Sequence, residues 1–115
     1  MSYFDTMVAA VPTAGQDAYI EHAKSMSPLF LEHGAVRLIE AWGDDVPDGK
    51  VTDFKRSVQA KPDETVVVSF IEWPSKEARD AAWEKLMQDE RMTNSEFPFD
   101  GKRLIHGGFK IILNA

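Results

Sequence analysis

Apolar positions along the chain change their spacing several times, and each change marks an element. Residues 3–11, YFDTMVAAV, are aromatic and aliphatic without a helical stripe, and they stop at Pro12, which predicts a first strand. Residues 13–16 read as a turn, and Asp17 and Glu21 put negative charge where a helix start favours it. Between residues 15 and 33, Tyr19, Ala23, Met26 and Phe30 recur at helical spacing. Pro28 is expected to kink or split that helix, and Gly34 suits the left-handed position just past its end. Residues 35–43, AVRLIEAWG, predict a second strand, and residues 64–73, centred on Val66-Val67-Val68, a third that ends at Pro74. Ser75 is a good cap for a second helix over 76–91, with Ala78, Ala82 and Leu86 on one side and Trp83 and Met87 widening it. After an irregular stretch, 92–101, a last strand is expected over 104–113. The connection 44–58, with turn signals at Val46-Pro47 and Asp48-Gly49, is long, and such connections are usually functional or mobile.

The element order is β-α-β-β-α-β, the α+β, ferredoxin-like arrangement. It predicts a four-stranded antiparallel sheet in the order 4-1-3-2 with both helices on one face. The other face would expose apolar side chains, so a second copy is expected to cover it, giving a homodimeric α+β barrel. Strand alternation assigns Phe4, Val8, Ala10, Ile39, Ala41, Ile105, Phe109 and Ile111 to the helix side. The open side then collects Asp5, Glu40, Trp42 and His106. Strands one and four are neighbours, so Asp5 falls near His106. An acid beside an imidazole is either a polar contact at an interface or a catalytic pair, and these two are the candidate catalytic residues. Gly107-Gly108 lies inside the last strand, where it marks a close backbone approach or makes room for a ligand beside His106. Asp100-Gly101 makes the turn before that strand.

Composition narrows the classes. The hydrophobic fraction of 43% in 115 residues supports one core, hence one domain over residues 1–115. Thirteen basic against nineteen acidic residues, a net charge of -6, disfavour a nucleic-acid partner. Lys55, Arg56 and Arg103 are left as candidates to steer a small anionic ligand at a rim, with Glu40 orienting it and Trp42 stacking on it. The absence of cysteine removes disulfides, thiolate nucleophiles and cysteine-based zinc sites. No apolar run approaches a membrane span, and the start lacks the basic, then apolar pattern of a leader, so a cytoplasmic location is expected. DDVPDGKVTD fails as a calcium loop, because Val46 and Lys55 stand where ligands are needed. His22 and His33 have no second ligand at helical spacing, so neither a metal nor a cofactor is expected.

Two long stretches, WGDDVPDGKVTDFKRSV (42–58) and PFDGKRLIHGGF (98–109), resemble the signature segments of the YbaA-like family, bacterial domain of unknown function 1428. SPLFLEHGAVRLIEAWGDD and EWPSKEARDAAWEKL are similar as well, so the resemblance spans essentially the whole chain. It implies a dimeric α+β barrel and supplies no reaction. It also implies an aromatic such as tyrosine where this chain has His106, and therefore a hydrogen-bonding or stacking role that both residue types could share. Two functions follow. One is a homodimeric small-molecule-binding barrel, extending to a cofactor-free enzyme acting on a small organic molecule. The alternative is a non-catalytic dimer that binds a protein partner or senses a metabolite, through the 44–58 loop and the turn from Asp100 to Arg103.

Overall fold

β1 (Tyr3–Pro12) is the strand around which the sheet is organised, in a computed structural model that describes residues 2–115. Along its whole length it pairs antiparallel with β3 (Glu64–Trp73), and on its other side Tyr3 to Val8 pair with β4 (Ile105–Lys110). β2 (Arg37–Trp42) closes the far edge against β3, so the order is β2-β3-β1-β4. This is the ferredoxin-like order expected from the sequence, read from the opposite edge.

Among the described residues the strands are connected by α1 (Gln16–Glu32), entered through a short 3-10 turn (Thr13–Gly15), α2 (Phe54–Ser57), α3 (Lys76–Leu86) and α4 (Glu90–Thr93). α1 does not split at Pro28. Proline removes one helical hydrogen bond, but Pro28 faces solvent while Met26, Leu29 and Phe30 on either side are buried, and that burial holds the helix together. Gly34 ends the helix at φ +103°, as expected of a glycine there. The Ser75 hydroxyl accepts from the Ala78 amide at 3.1 Å and starts α3. α3 stops at Leu86, short of the expected 91, because Asp89 caps a new helix by accepting from the Arg91 amide at 2.9 Å. The long connection is anchored. Asp53 accepts from the amides of Arg56 (2.7 Å) and Gly49 (3.0 Å), and Val58 is buried against Ala10 and Val66.

The expected side assignment is reversed. The two residue sets were sorted correctly by alternation, but Asp5, Glu40, Trp42 and His106 lie under the helices. The core there is built from Met26, Leu29 and Phe30 of α1, Ala82 and Leu86 of α3, and Ile71 and Trp73 of β3. Leu38 packs on that cluster, and its strand neighbours Ile39 and Arg37 face away. Phe70, Ile39, Ile105 and Phe109 are 38%, 43%, 46% and 50% exposed on the open face. The more apolar set was expected to sit under the helices. It does not, because the helix side is hollow and carries polar groups.

Candidate functional site

Register lays the helix-side residues in rows across the sheet. One row runs Glu40–Ser69–Met7–His106, and the next runs Leu38–Ile71–Asp5–Gly108. Glu40 and His106 therefore stand at opposite edges, three strand spacings or about 14 Å apart. Above these rows, α1, α3 and the segment that follows α3 border a half-open cavity of about 960 Å³. Its walls are mainly apolar, with Met26, Phe30, Trp83, Phe97 and Phe99 prominent. Such a space suits a small organic molecule.

Asp5 is saturated. Its carboxylate accepts from the indole N–H groups of Trp73 (2.9 Å) and Trp83 (2.8 Å), and from Arg79 through Nη2 (2.7 Å) and Nε (3.1 Å). Burial pushes its carboxyl up, but the hydrogen bonds from Arg79, Trp83 and Trp73, with the charge of Arg79, outweigh that and hold it below the usual range. Arg79 also lies over the Tyr3 ring at 5.3 Å. Asp5 and His106 share the cavity, as their common face predicted, yet no hydrogen bond joins them among the described residues.

Glu40 is arranged differently. One oxygen, Oε1, accepts from the Tyr19 hydroxyl at 2.7 Å and from the Ser69 hydroxyl at 2.5 Å. Oε2 has no hydrogen bond among the described residues. Burial pushes the Tyr19 hydroxyl strongly up, and Glu40 adds to this, so the phenol stays protonated and donates. His22 lines the same region, edge-on to Phe97 at 5.0 Å. Burial lowers its imidazole, and the charge of Glu40 only partly opposes that. His22 is thus a neutral ring at neutral pH.

The other expected ligand-binding residues do not reach the cavity. Trp42 packs on Ala9, Val11 and Val67 and tilts against Tyr19 at 6.3 Å, so it supports the wall from behind. Lys55 pairs with Asp48 at 3.1 Å, and Arg56 bonds the Lys50 carbonyl at 3.2 Å. Arg103 forks onto Glu64 with two bonds of 2.8 Å and also bonds Asp100 at 3.0 Å. This fork holds the Glu64 carboxyl at about 2. These cations are engaged by local carboxylates, Arg56 by Asp53 at 3.5 Å as well as by the carbonyl, so they tie loops down. Among the described residues, no three His, Asp or Glu side chains converge as metal ligands, and no helix is long and apolar enough to cross a membrane.

Tyr19, His22, Ser69, Arg79 and Trp83 were not singled out from sequence as site residues. A signal existed for two of them. His22 is three residues from Tyr19 and four from Met26, and Arg79 extends the Trp83–Met87 line by one turn. Gly108 resolves to a close approach. A Cβ there would lie 2.5 Å from the Tyr3 hydroxyl and 2.8 Å from Nη2 of Arg79. Gly108→Ala should cost about 1–3 kcal/mol by pushing Arg79 off Asp5. Urea unfolding would measure it, and a loss below a few tenths would mean that the two side chains step aside freely.

A four-stranded antiparallel sheet with helices over one face defines the class as an α+β, ferredoxin-like fold. Residues 2–101 match the family described as Protein of unknown function (DUF1428), and the chain belongs to that family. It is 54% identical over 116 residues to Uncharacterized protein YbaA of Escherichia coli K12, covering 99% of both chains, and equally to that of Shigella flexneri. Among solved structures it is similar to a dimeric ferredoxin-like protein from an uncultured marine organism, with TM-score 0.63, 9% identity, and 99% and 98% of the two chains covered. It is also similar to a nipsnap family protein with unknown function from Agrobacterium tumefaciens, with TM-score 0.58, 10% identity, and 96% and 87% covered. At these identities the structural likeness speaks for the fold.

Proposed function

We propose that this chain is a small-molecule-binding protein that works as a homodimer, each protomer holding its ligand under α1 and α3. The observation that carries this reading is the apolar cavity of about 960 Å³ with a few polar groups converging on it. Dimerisation is supported by the exposed aromatic and aliphatic sheet face and by the dimeric state of the marine relative of the same fold. Chemistry on a bound ligand would fall to groups with free lone pairs, namely Glu40, His22 and His106. Asp5 has none to spare and acts as a positioning residue for Arg79 and Trp83.

Ala23 of α1 lines the cavity and is small, so Ala23→Phe would fill part of it without adding charge. Wild type is expected to bind the uncharged dye Nile red at one site per chain. The variant, checked for an unchanged melting temperature, is expected to lose at least tenfold in affinity. Equal binding by both proteins would put the dye elsewhere and sink the cavity reading.

A further inference from the structure

The cavity is not electrically neutral, and its free acceptors are few. Its charged lining consists of Asp5, Glu40, Asp80 and Arg79. Arg79 is taken by Asp5 and by Asp80 at 3.0 Å, so no cation is left for a ligand anion. The carboxylate of Asp5 is filled by N–H donors. On the Glu40 side, what remains is one carboxylate oxygen, Oε2, and the ring of His22, whose one hydrogen bond among the described residues is with the Ser95 hydroxyl, 3.5 Å from Nδ1.

We propose that Glu40 and His22 form the recognition end of the cavity, and that it takes an uncharged planar molecule bearing a hydroxyl group. This rests on the cavity reading above and goes further by fixing the ligand's chemistry. Donors and acceptors must balance at this end. An anion finds no free cation and meets Glu40 directly. An ammonium is drawn to Glu40 but brings three N–H donors, and it would exchange the full hydration of a compact ion for one carboxylate oxygen and one ring nitrogen. A hydroxyl brings one donor and accepts at the same oxygen. It can donate to Glu40 Oε2 and accept from an N–H of the neutral His22 ring, which leaves nothing unpaired.

Planarity comes from the walls. Tyr19, Phe99, Phe97 and His22 form a chain of rings, with centroid steps of 6.3, 5.5 and 5.0 Å, beside the acceptors. These rings pack on one another into a continuous aromatic wall, against which a planar ring packs well. Glu40 is held for this task, because Tyr19 and Ser69 fix Oε1 and thereby fix the direction in which Oε2 points.

The test uses four probes of one size at pH 7, titrated by calorimetry: 2-naphthol, naphthalene, 2-naphthoate and 2-naphthylmethylammonium. The hydroxyl of 2-naphthol is protonated at this pH. Wild type should bind 2-naphthol about tenfold or more tighter than naphthalene, as expected for a hydrogen bond to a charged acceptor. Glu40→Gln should lose that preference and bind naphthalene as before. The variant keeps an oxygen for Tyr19 and Ser69, so the wall should survive. If it does not fold, the ranking of the four probes on wild type decides alone. Equal binding of naphthol and naphthalene, or tightest binding of the cation or the anion, overturns the proposal while leaving the cavity as a binding site. Binding of none of the four overturns the cavity reading as well.

Discussion

Asp5→Ala should remove about 3–5 kcal/mol of folding stability, a large share of the 5–15 kcal/mol typical of a domain. The substitution deletes the acceptor of two indole N–H groups and of the Arg79 guanidinium. The Asp5 side chain is 13% exposed and that of Arg79 23%, so water cannot replace the lost partner fully. Asp5→Asn keeps the shape and one carbonyl acceptor, and should cost roughly half as much. The effect depends on pH with a definite sign. The Asp5 carboxyl is lowered in the fold, so its stabilisation is complete above the ordinary aspartate range near pH 4. It fades as pH falls through the lower, folded value. Glu64, held at about 2 by Arg103, behaves in the same way below its usual 4.5. Urea unfolding of wild type and Asp5→Asn at pH 7 and at pH 3 checks both statements. The gap between the two proteins should narrow at pH 3. A cost for Asp5→Ala below 1 kcal/mol would show that the hub is ornamental.

The sequence disclosed order far better than orientation, and the reason is physical. Strands announce themselves by composition and by punctuation at Pro12, Pro74 and Asp100-Gly101, and helices by the stripe from Tyr19 to Phe30 and the cap at Ser75. These signals are local. Which side of a strand lies under a helix is not local, because alternation yields two sets and does not say which one is covered. The usual aid, that the more apolar set is covered, failed at Phe4, Ile39, Phe109 and their neighbours. Both faces of this sheet have work to do: one is hollow and polar in places, the other is apolar and open. Asp5, Glu40 and His106 were legible as a shared face. The bonds that divide their roles run to Arg79, Trp83, Tyr19 and Ser69, 74, 78, 21 and 29 residues away from the carboxylates they serve. Pairings at such separations follow from how α1 and α3 are rotated about their axes, which one sequence does not fix.

Phe70→Asp should convert the proposed dimer to a monomer. Phe70 sits on the open face with Phe4, whose ring is 6.0 Å away, and Phe4 stacks on Phe109 at 5.6 Å. Arg37 and Glu72, paired at 2.8 Å, border this patch. In a two-fold pairing of sheets each such residue is used twice, so one substitution places two carboxylates in an apolar layer. An unpaired buried charge costs about 4 kcal/mol, roughly a thousandfold in Kd. Sedimentation velocity at micromolar concentration would register the change. Phe97→Asp is the control, because Phe97 is 47% exposed but lines the cavity on the opposite side of the sheet. It should stay dimeric, and a Phe70→Asp protein that also stays dimeric would exclude pairing through this face. The two faces are separated by a single layer of strands, so the monomeric variant should still bind 2-naphthol with wild-type affinity. Loss of that binding in a folded monomer would mean that the second protomer completes the cavity, and the site would then have to be redrawn across the interface.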